Sequence, residues 1–146
     1  MSYKPKYFQL QEVVPASVIQ ARGEKGWELM DDRILMGGDW LREKHGSCVI
    51  NGKIGDHVFK ESGLRDPLTD TGAKFSQHKF GRALDLKFLK TDTKTVYNFI
   101  LENQAEARRN GITTIEDIKD APTWIHIDCR ALPEGFPKDK IQVVRK

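Results

Sequence analysis

An aspartate lies inside an apolar run, and this run restricts the possible folds more than any other part of the chain. Residues 83–88 (ALDLKF) predict a buried strand that contains Asp85. An unpaired carboxylate is costly to bury, so Asp85 requires a partner inside the fold. That partner is either a metal ion or the side chain of Arg82 or Lys87 in a salt bridge.

A histidine precedes this aspartate, and six residues separate the two. Gly81 lies between His78 and Asp85, and glycine permits a tight bend or a close approach of the backbone. A loop that carries His78 can therefore fold over the strand that carries Asp85.

A second histidine lies in a short alternating segment. Residues 123–129 predict a strand in which Trp124, His126 and Asp128 share one face and two isoleucines occupy the other. Together with the pair described above, His126 gives two imidazoles and one carboxylate. This is the ligand set of a catalytic zinc site whose fourth position is left to water. The alternative is a core histidine whose hydrogen bonds are satisfied by its neighbours.

Length and charge narrow the class of protein. A chain of 146 residues predicts one domain over residues 1–146, large enough to bury a core without disulfides. The net charge of +3, from 24 basic and 21 acidic residues, is too small and too scattered to indicate a nucleic-acid partner. The polar residues 1–6 predict no signal peptide, and no apolar run approaches the roughly 18 residues of a membrane span.

The two cysteines do not form a metal-binding or redox motif. Cys48 and Cys129 lie far apart in the sequence, and there is no C-x-x-C pair. We expect reduced, buried thiols, with a single bridge between them as the alternative.

The remaining pattern predicts an α+β domain, in which a small antiparallel sheet has flanking helices. Residues 7–14 are expected to form an extended arm, and residues 61–75 a loop. The glycines at 37 and 38 predict a kink in the second helix, or its division into two. Helices are predicted over 16–22, 26–45 and 92–110, and strands over 48–50, 83–88, 112–115, 123–129 and 141–144.

Three fragments resemble one known family. Residues 76–85 (SQHKFGRALD) resemble the S-x-H-x-x-G-x-A-x-D signature of zinc D-Ala-D-Ala carboxypeptidases, a family that also includes phage endolysin peptidases. Residues 124–126 (WIH) resemble its later W-x-H strand, and residues 61–67 (ESGLRDP) its S-G-[aromatic or Leu]-R segment. Residues 40–44 resemble the preceding helix. The fragments occur in the family's order, and the resemblance implies the hedgehog/DD-peptidase fold.

The resemblance also implies roles for individual residues. Arg65 would lie near the substrate, where a guanidinium can clamp a peptide carboxylate or carbonyl; the alternative is a salt bridge with Asp66 or Asp70. Ser76 would bind the substrate or stabilise the loop before the first histidine. The zinc ligands would be His78, Asp85 and His126.

The chain departs from the family at the catalytic base. Several members carry an acid three residues before the third ligand, and this position is Thr123 here. The candidate replacements are Asp128 on the strand face of the histidine, Glu116 on the preceding strand, and Asp120 in the loop between them. Asp128 has a second interpretation as an acid that orients a ligand.

The resemblance implies a zinc-dependent D,D- or L,D-carboxypeptidase or endopeptidase that cuts the peptide part of bacterial peptidoglycan. It suggests a phage or prophage product, either an endolysin or a virion-associated enzyme. Such a protein would occur in the host cytoplasm before release, or in the virion beside phage structural proteins. Two alternatives remain: a non-catalytic zinc module of the same fold, which Thr123 favours, and a globular adaptor with a buried His–Asp pair and no metal.

Overall fold

Helices occupy the first third of the chain, and strands predominate after residue 47, in the computed structural model, which describes residues 3–146. The helices are α1 Ala16–Arg22, α2 Asp32–His45, α3 Thr93–Glu102 and α4 Gln104–Arg109. Short 3₁₀ helices occupy Leu10–Glu12, Gly23–Leu29 and Gln77–Phe80. The strands are β1 Cys48–Val49, β2 Gly52–Ile54, β3 His57–Phe59, β4 Ala83–Phe88, β5 Thr114–Glu116, β6 Ile125–Asp128 and β7 Gln142–Val144. This confirms the prediction of an α+β protein.

The main sheet has five strands in the order β1-β4-β6-β5-β7, and β2 and β3 form a separate hairpin. Three of its pairings are antiparallel, but β5 and β7 run parallel. The prediction of an antiparallel sheet is therefore wrong at β7. The last residue of β6, Asp128, is paired with the first residue of β5, Thr114. The chain that leaves β6 passes over β5 and starts β7 at the same end of the sheet, so β7 runs parallel to β5.

The two faces of the sheet differ sharply in polarity. Leu84 is paired with Ile127 and Leu86 with Ile125, and all four side chains are buried in the apolar core. The intervening residues point the other way because side chains alternate along a strand. Asp85 is paired with His126 on that opposite face.

Helix α2 runs unbroken through Gly37 and Gly38, so the predicted kink is wrong. The break in this part of the chain falls between the 3₁₀ helix and α2, where Asp31 caps the new helix by accepting a hydrogen bond from the amide of Arg33. The glycines allow α2 to lie close to its neighbours. A Cβ on Gly37 would lie 2.7 Å from Cγ1 of Ile112, and one on Gly38 would lie 3.0 Å from Cδ1 of Leu84.

The ends of the helices were predicted more accurately than their continuity. Helix α1 begins after Pro15 and ends at Gly23, and Gly46 ends α2, as predicted. The predicted 92–110 helix divides into α3 and α4 at Asn103, which leaves helical geometry. The predicted arm over residues 7–14 contains a 3₁₀ turn, and it contributes buried residues to the core: Phe8, Leu10, Val13 and Val14.

Both cysteines are free and buried, which confirms the prediction of reduced thiols. Burial raises the pKa of Cys48 and of Cys129 to about 12, so both thiols stay protonated near neutral pH. Within residues 3–146, no helix combines the length and the apolar character needed to cross a bilayer.

Candidate metal centre

The two predicted histidines and the aspartate converge at one point on the polar face of the sheet. Nε2 of His78 lies 3.2 Å from Oδ1 of Asp85, and Nδ1 of His126 lies 2.9 Å from the same oxygen. The ligand atoms of all three residues lie within 4.8 Å of one another. The side chains are 3%, 14% and 10% exposed, in chain order.

A short turn places His78 above β4. The hydroxyl of Ser76 caps the 3₁₀ helix Gln77–Phe80 by accepting a hydrogen bond from the amide of His78, at 3.3 Å. Gly81 ends this helix in the left-handed region, with φ of 67°. A Cβ at this position would overlap with the carbonyl oxygen of Leu29. Gly81 therefore supplies both the tight bend and the close backbone approach that the sequence predicts.

The loop over residues 62–65 fixes the ring of His78. The Gly63 carbonyl oxygen lies 2.9 Å from Nδ1 of His78. Because a carbonyl can only accept, Nδ1 carries a proton, and Nε2 is the nitrogen that faces Asp85. The Ser62 carbonyl accepts a hydrogen bond from the amide of Asp85 at 2.7 Å, and the amide of Arg65 donates to the His78 carbonyl at 3.0 Å. The backbone thus connects both ligands through one loop.

A buried carboxylate fixes the ring of His126. Oδ2 of Asp128 lies 2.8 Å from Nε2 of His126, and the Asp128 side chain is fully buried. Arg130 holds this carboxylate in turn, because its Nε donates to Oδ1 of Asp128 at 2.8 Å. When Nε2 carries a proton, the lone pair of Nδ1 is available on the side of Asp85.

The mutual contacts of these groups shift their acidities. Burial by itself would raise the pKa of the Asp85 carboxyl, but the hydrogen bonds from His126 and His78 outweigh burial and hold this pKa well below its ordinary value. Burial opposes the charged form of His126, but its hydrogen bonds to Asp128 and Asp85 raise its pKa to about 9. The charged ring of His126 donates from Nδ1 to Asp85 and from Nε2 to Asp128, and a cation at Nδ1 would replace the proton on that nitrogen.

The donor set fits zinc. Two imidazole nitrogens and one carboxylate oxygen are typical of catalytic zinc sites. Ligand atoms at zinc-bond distance in a tetrahedron lie about 3.3 Å from one another. The separations of 3.2 and 2.9 Å from Asp85 to the two rings are close to this value, and the second nitrogen of each ring is already held.

Comparisons of the chain with models of protein families, with curated proteins and with solved structures found no match. The likeness to zinc D-Ala-D-Ala carboxypeptidases therefore rests on the residues of this chain alone.

The structure places Arg65 and Ser76 beside the three ligands, in the wall of a cavity of about 390 Å³. Nη2 of Arg65 lies 3.7 Å from Oδ2 of Asp85, and its Nε donates to the Glu61 carbonyl at 2.9 Å. Within residues 3–146, Arg65 forms no salt bridge with Asp66 or Asp70, the alternative partners that the sequence offered. Asp85 likewise forms none with Arg82 or Lys87. For Ser76, the cap on the 3₁₀ helix is the role that the contacts display.

The four positions considered for a base occupy different surroundings. Asp128 lies behind His126, where His126 and Arg130 already use its oxygens. Asp120 pairs with Arg145, at 2.8 Å. Glu116 lines the cavity that holds the three ligands, whereas Thr123 lines a second cavity.

The second cavity is larger and more apolar, at about 560 Å³. It shares Asp85 and Trp124 with the first cavity, so both cavities border the candidate metal centre. Its other walls include Ile54, Phe59, Phe88 and Leu89.

The sequence interpretation missed two groups that hold the histidines. The Gly63 contact uses a backbone carbonyl, for which a side-chain pattern carries no signal. Arg130 follows Asp128 by two residues, and alternation along an extended segment would have placed it on the same face.

Proposed function

We propose that the protein is a zinc metallopeptidase of the hedgehog/DD-peptidase fold that hydrolyses an amide bond in the stem peptide of bacterial peptidoglycan. The observation that carries the proposal is the convergence of His78, Asp85 and His126, the positions at which the family motifs place the ligands. The order of the three fragments along the chain supports the choice of family.

His78 through Nε2, Asp85 through Oδ1 and His126 through Nδ1 would hold the ion. Zinc in such a site supplies Lewis acidity to a water molecule and to the carbonyl that is attacked. The chain's own part is to present three preoriented donors. Gly63 and Asp128 hold the distal ring nitrogens at 2.9 and 2.8 Å, so that neither imidazole has to turn when the ion binds.

Arg65 is the group best placed to orient the substrate. Its side chain is only 13% exposed, and the Nε edge of the guanidinium is held by the Glu61 carbonyl. A fixed guanidinium at the cavity wall can donate two parallel hydrogen bonds to a carboxylate or bind a peptide carbonyl. In a stem peptide, such a contact would hold the scissile amide against the metal ligands.

The biological setting that we propose is a phage or prophage lytic enzyme, with the peptidoglycan stem peptide as substrate. An endolysin would stay in the host cytoplasm until release, whereas a virion-associated enzyme would contact phage structural proteins. The resemblance to phage endolysin peptidases supports this setting.

A second candidate function is a non-catalytic zinc module of the same fold. The observation in its favour is Thr123, which stands where several family members carry the base and cannot accept a proton near neutral pH. In this case the ion would stabilise the fold or a binding surface, and no amide would be cut.

The test is hydrolysis of purified peptidoglycan by the zinc-loaded protein and by two variants. His78→Ala removes a ligand, and Lys79→Ala changes the next side chain, which belongs to no part of the donor set. New amino groups and the masses of released fragments are measured. We expect activity in the parent and in Lys79→Ala, and none in His78→Ala.

The fragments also distinguish the bond that is cut. Release of a single D-amino acid indicates a carboxypeptidase, and release of larger peptides indicates an endopeptidase. Zinc-loaded parent protein with no activity would contradict the peptidase and leave the non-catalytic module. Equal activity in His78→Ala and Lys79→Ala would contradict the assignment of the site.

A further inference from the structure

We propose that Glu116 is the general base of the reaction and takes the role that Thr123 cannot fill. The inference rests on the proposed peptidase function and deepens it. It identifies the one remaining group that a zinc peptidase requires: a free carboxylate that faces the same cavity as the metal ligands.

The sheet register places Glu116 in line with the site. Thr114 is paired with Asp128 and Ile115 with Ile127, so the next step of the same register brings Glu116 opposite His126. Directly opposite residues on antiparallel strands share a face, with Cβ atoms roughly 4.5–5.5 Å apart.

His126 is in turn opposite Asp85 on β4. One row across β4, β6 and β5 therefore carries a carboxylate, an imidazole and a second carboxylate. The Glu116 side chain lines the cavity at the end of this row.

The carboxylate of Glu116 is largely buried, and one of its oxygens has no hydrogen-bond donor. The side chain is 12% exposed, and Oε1 is buried with no hydrogen-bond partner among residues 3–146. The cation nearest to Oε1 is Lys146, at 4.0 Å, whose side chain is 74% exposed. A buried oxygen without a donor is unfavourable. Because Oε1 is closed to solvent in this conformation, a small rotation of the carboxylate toward the cavity has to precede its contact with a water molecule.

The other acids are already in use. Both oxygens of Asp128 contact His126 or Arg130, on the far side of the imidazole from the ligand nitrogen. Asp120 accepts hydrogen bonds from the Arg145 side chain and the Lys146 amide. Of the candidates, Glu116 alone combines a position in the cavity with a free oxygen.

Glu116 takes a proton from the attacking water while the water oxygen forms a bond to the scissile carbonyl carbon. Glu116 then gives this proton to the amide nitrogen as the C–N bond breaks. The products are a carboxylic acid and an amine, and Glu116 returns to its ionised form.

The experiment compares Glu116→Gln with Asp120→Asn, since both variants change a carboxylate to the matching amide. Hydrolysis of peptidoglycan fragments, zinc content and thermal unfolding are measured on each full-length protein. We expect kcat of Glu116→Gln to fall at least about 100-fold, the usual contribution of general-base catalysis. KM should change less than about threefold, with one zinc per chain retained, because the side chain is not a ligand. Asp120→Asn should keep the parent kcat.

Unfolding of the metal-free proteins supplies a readout that does not depend on turnover. A buried carboxylate oxygen without a partner is unfavourable, so Glu116→Gln should unfold at the same temperature as the parent or above it. A clear fall in its midpoint would show a structural role and overturn the inference. Glu116→Asp, which keeps the acid but shortens its reach, should recover part of the lost kcat.

The outcomes separate this inference from the proposed function. An active parent with an equally active Glu116→Gln overturns the assignment of the base and leaves the peptidase intact. An inactive zinc-loaded parent overturns both. A fall in kcat that comes with loss of zinc from Glu116→Gln would make Glu116 a ligand and not the base.

Discussion

Asp128 holds Nε2 of His126 at 2.8 Å, and this contact determines which imidazole nitrogen faces the candidate metal centre. The opposite nitrogen, Nδ1, lies 2.9 Å from Asp85. Arg130 closes the chain of contacts by holding Asp128. Asp128 therefore orients the ligand His126, and its contacts do not favour a role as the catalytic base.

Replacement of Asp128 by Asn should weaken zinc binding without removing a ligand. The amide cannot accept a charged hydrogen bond from Nε2 and also from Arg130, so His126 loses both its orientation and part of its basicity. Loss of such a supporting contact typically costs about 10- to 100-fold in metal affinity. Competition with a chromophoric chelator measures the change. Asp120→Asn is the matched control, and equal affinities for the two variants would contradict the role of Asp128.

The metal-free protein should lose stability as the pH rises above 6.5. The folded-state pKa of His126, about 9, lies above the ordinary value of 6.5. Its contribution is thus fully present below pH 6.5 and is lost as the pH rises through 9. Between pH 6.5 and 8 we expect the free energy of unfolding to fall by about 1–2 kcal/mol. Urea unfolding with chelator present measures this.

Three other groups restrict the pH window of this experiment. Burial lowers the pKa of His45, so the penalty for its charge is largely relieved by about pH 6.5. Burial lowers the pKa of Lys87 to about 8, so the penalty for its charge disappears above pH 8 and opposes the trend from His126. The lowered pKa of Asp85 contributes stability that is lost only under strong acid. His126→Gln should abolish the slope between pH 6.5 and 8. Bound zinc should reverse it, because metal binding requires an unprotonated His126.

Gly81→Ala should be strongly destabilising. The backbone at Gly81 is left-handed, and a Cβ would overlap with the carbonyl oxygen of Leu29. Gly55 has a similar φ of 58° with open space around it, so Gly55→Ala should cost only the conformational term of about 1–2 kcal/mol. Denaturant unfolding should show a distinctly larger loss for Gly81→Ala. Equal losses would contradict the close packing of the His78 turn on the chain at Leu29.

Gly37→Ala should destabilise the protein although alanine is the better helix former. The propensity gain is about 1 kcal/mol, but the new methyl group would lie 2.7 Å from Cγ1 of Ile112, and relief of such overpacking usually costs about 1–3 kcal/mol. Thermal unfolding measures the balance. A higher midpoint in Gly37→Ala would show that α2 has room to move away from the sheet.

The sequence predicted the local structure correctly where a residue type is tolerated in only a few environments. An aspartate in an apolar run predicted both β4 and the need for a partner, and Gly81 predicted the bend that brings His78 to it. The start of α1 after Pro15 and its end at Gly23 followed from the same local chemistry.

Other features depend on contacts between distant parts of the chain. Gly37 and Gly38 were interpreted by their helix propensity, but their role is the close approach of α2 to Ile112 and Leu84. The parallel β7 depends on where β6 ends relative to β5, which no local pattern records. The surroundings of Asp128 and Glu116 likewise follow from strand register and from the burial of each carboxylate.

The most direct test of the account is the zinc content of the purified protein beside two histidine variants. His126→Ala removes a proposed ligand, and His57→Ala removes an exposed histidine on β3. We predict one zinc per chain in the parent and in His57→Ala, and none in His126→Ala. Absence of zinc from the parent after reconstitution, or full retention by His126→Ala, would contradict the metal centre and with it the proposed peptidase.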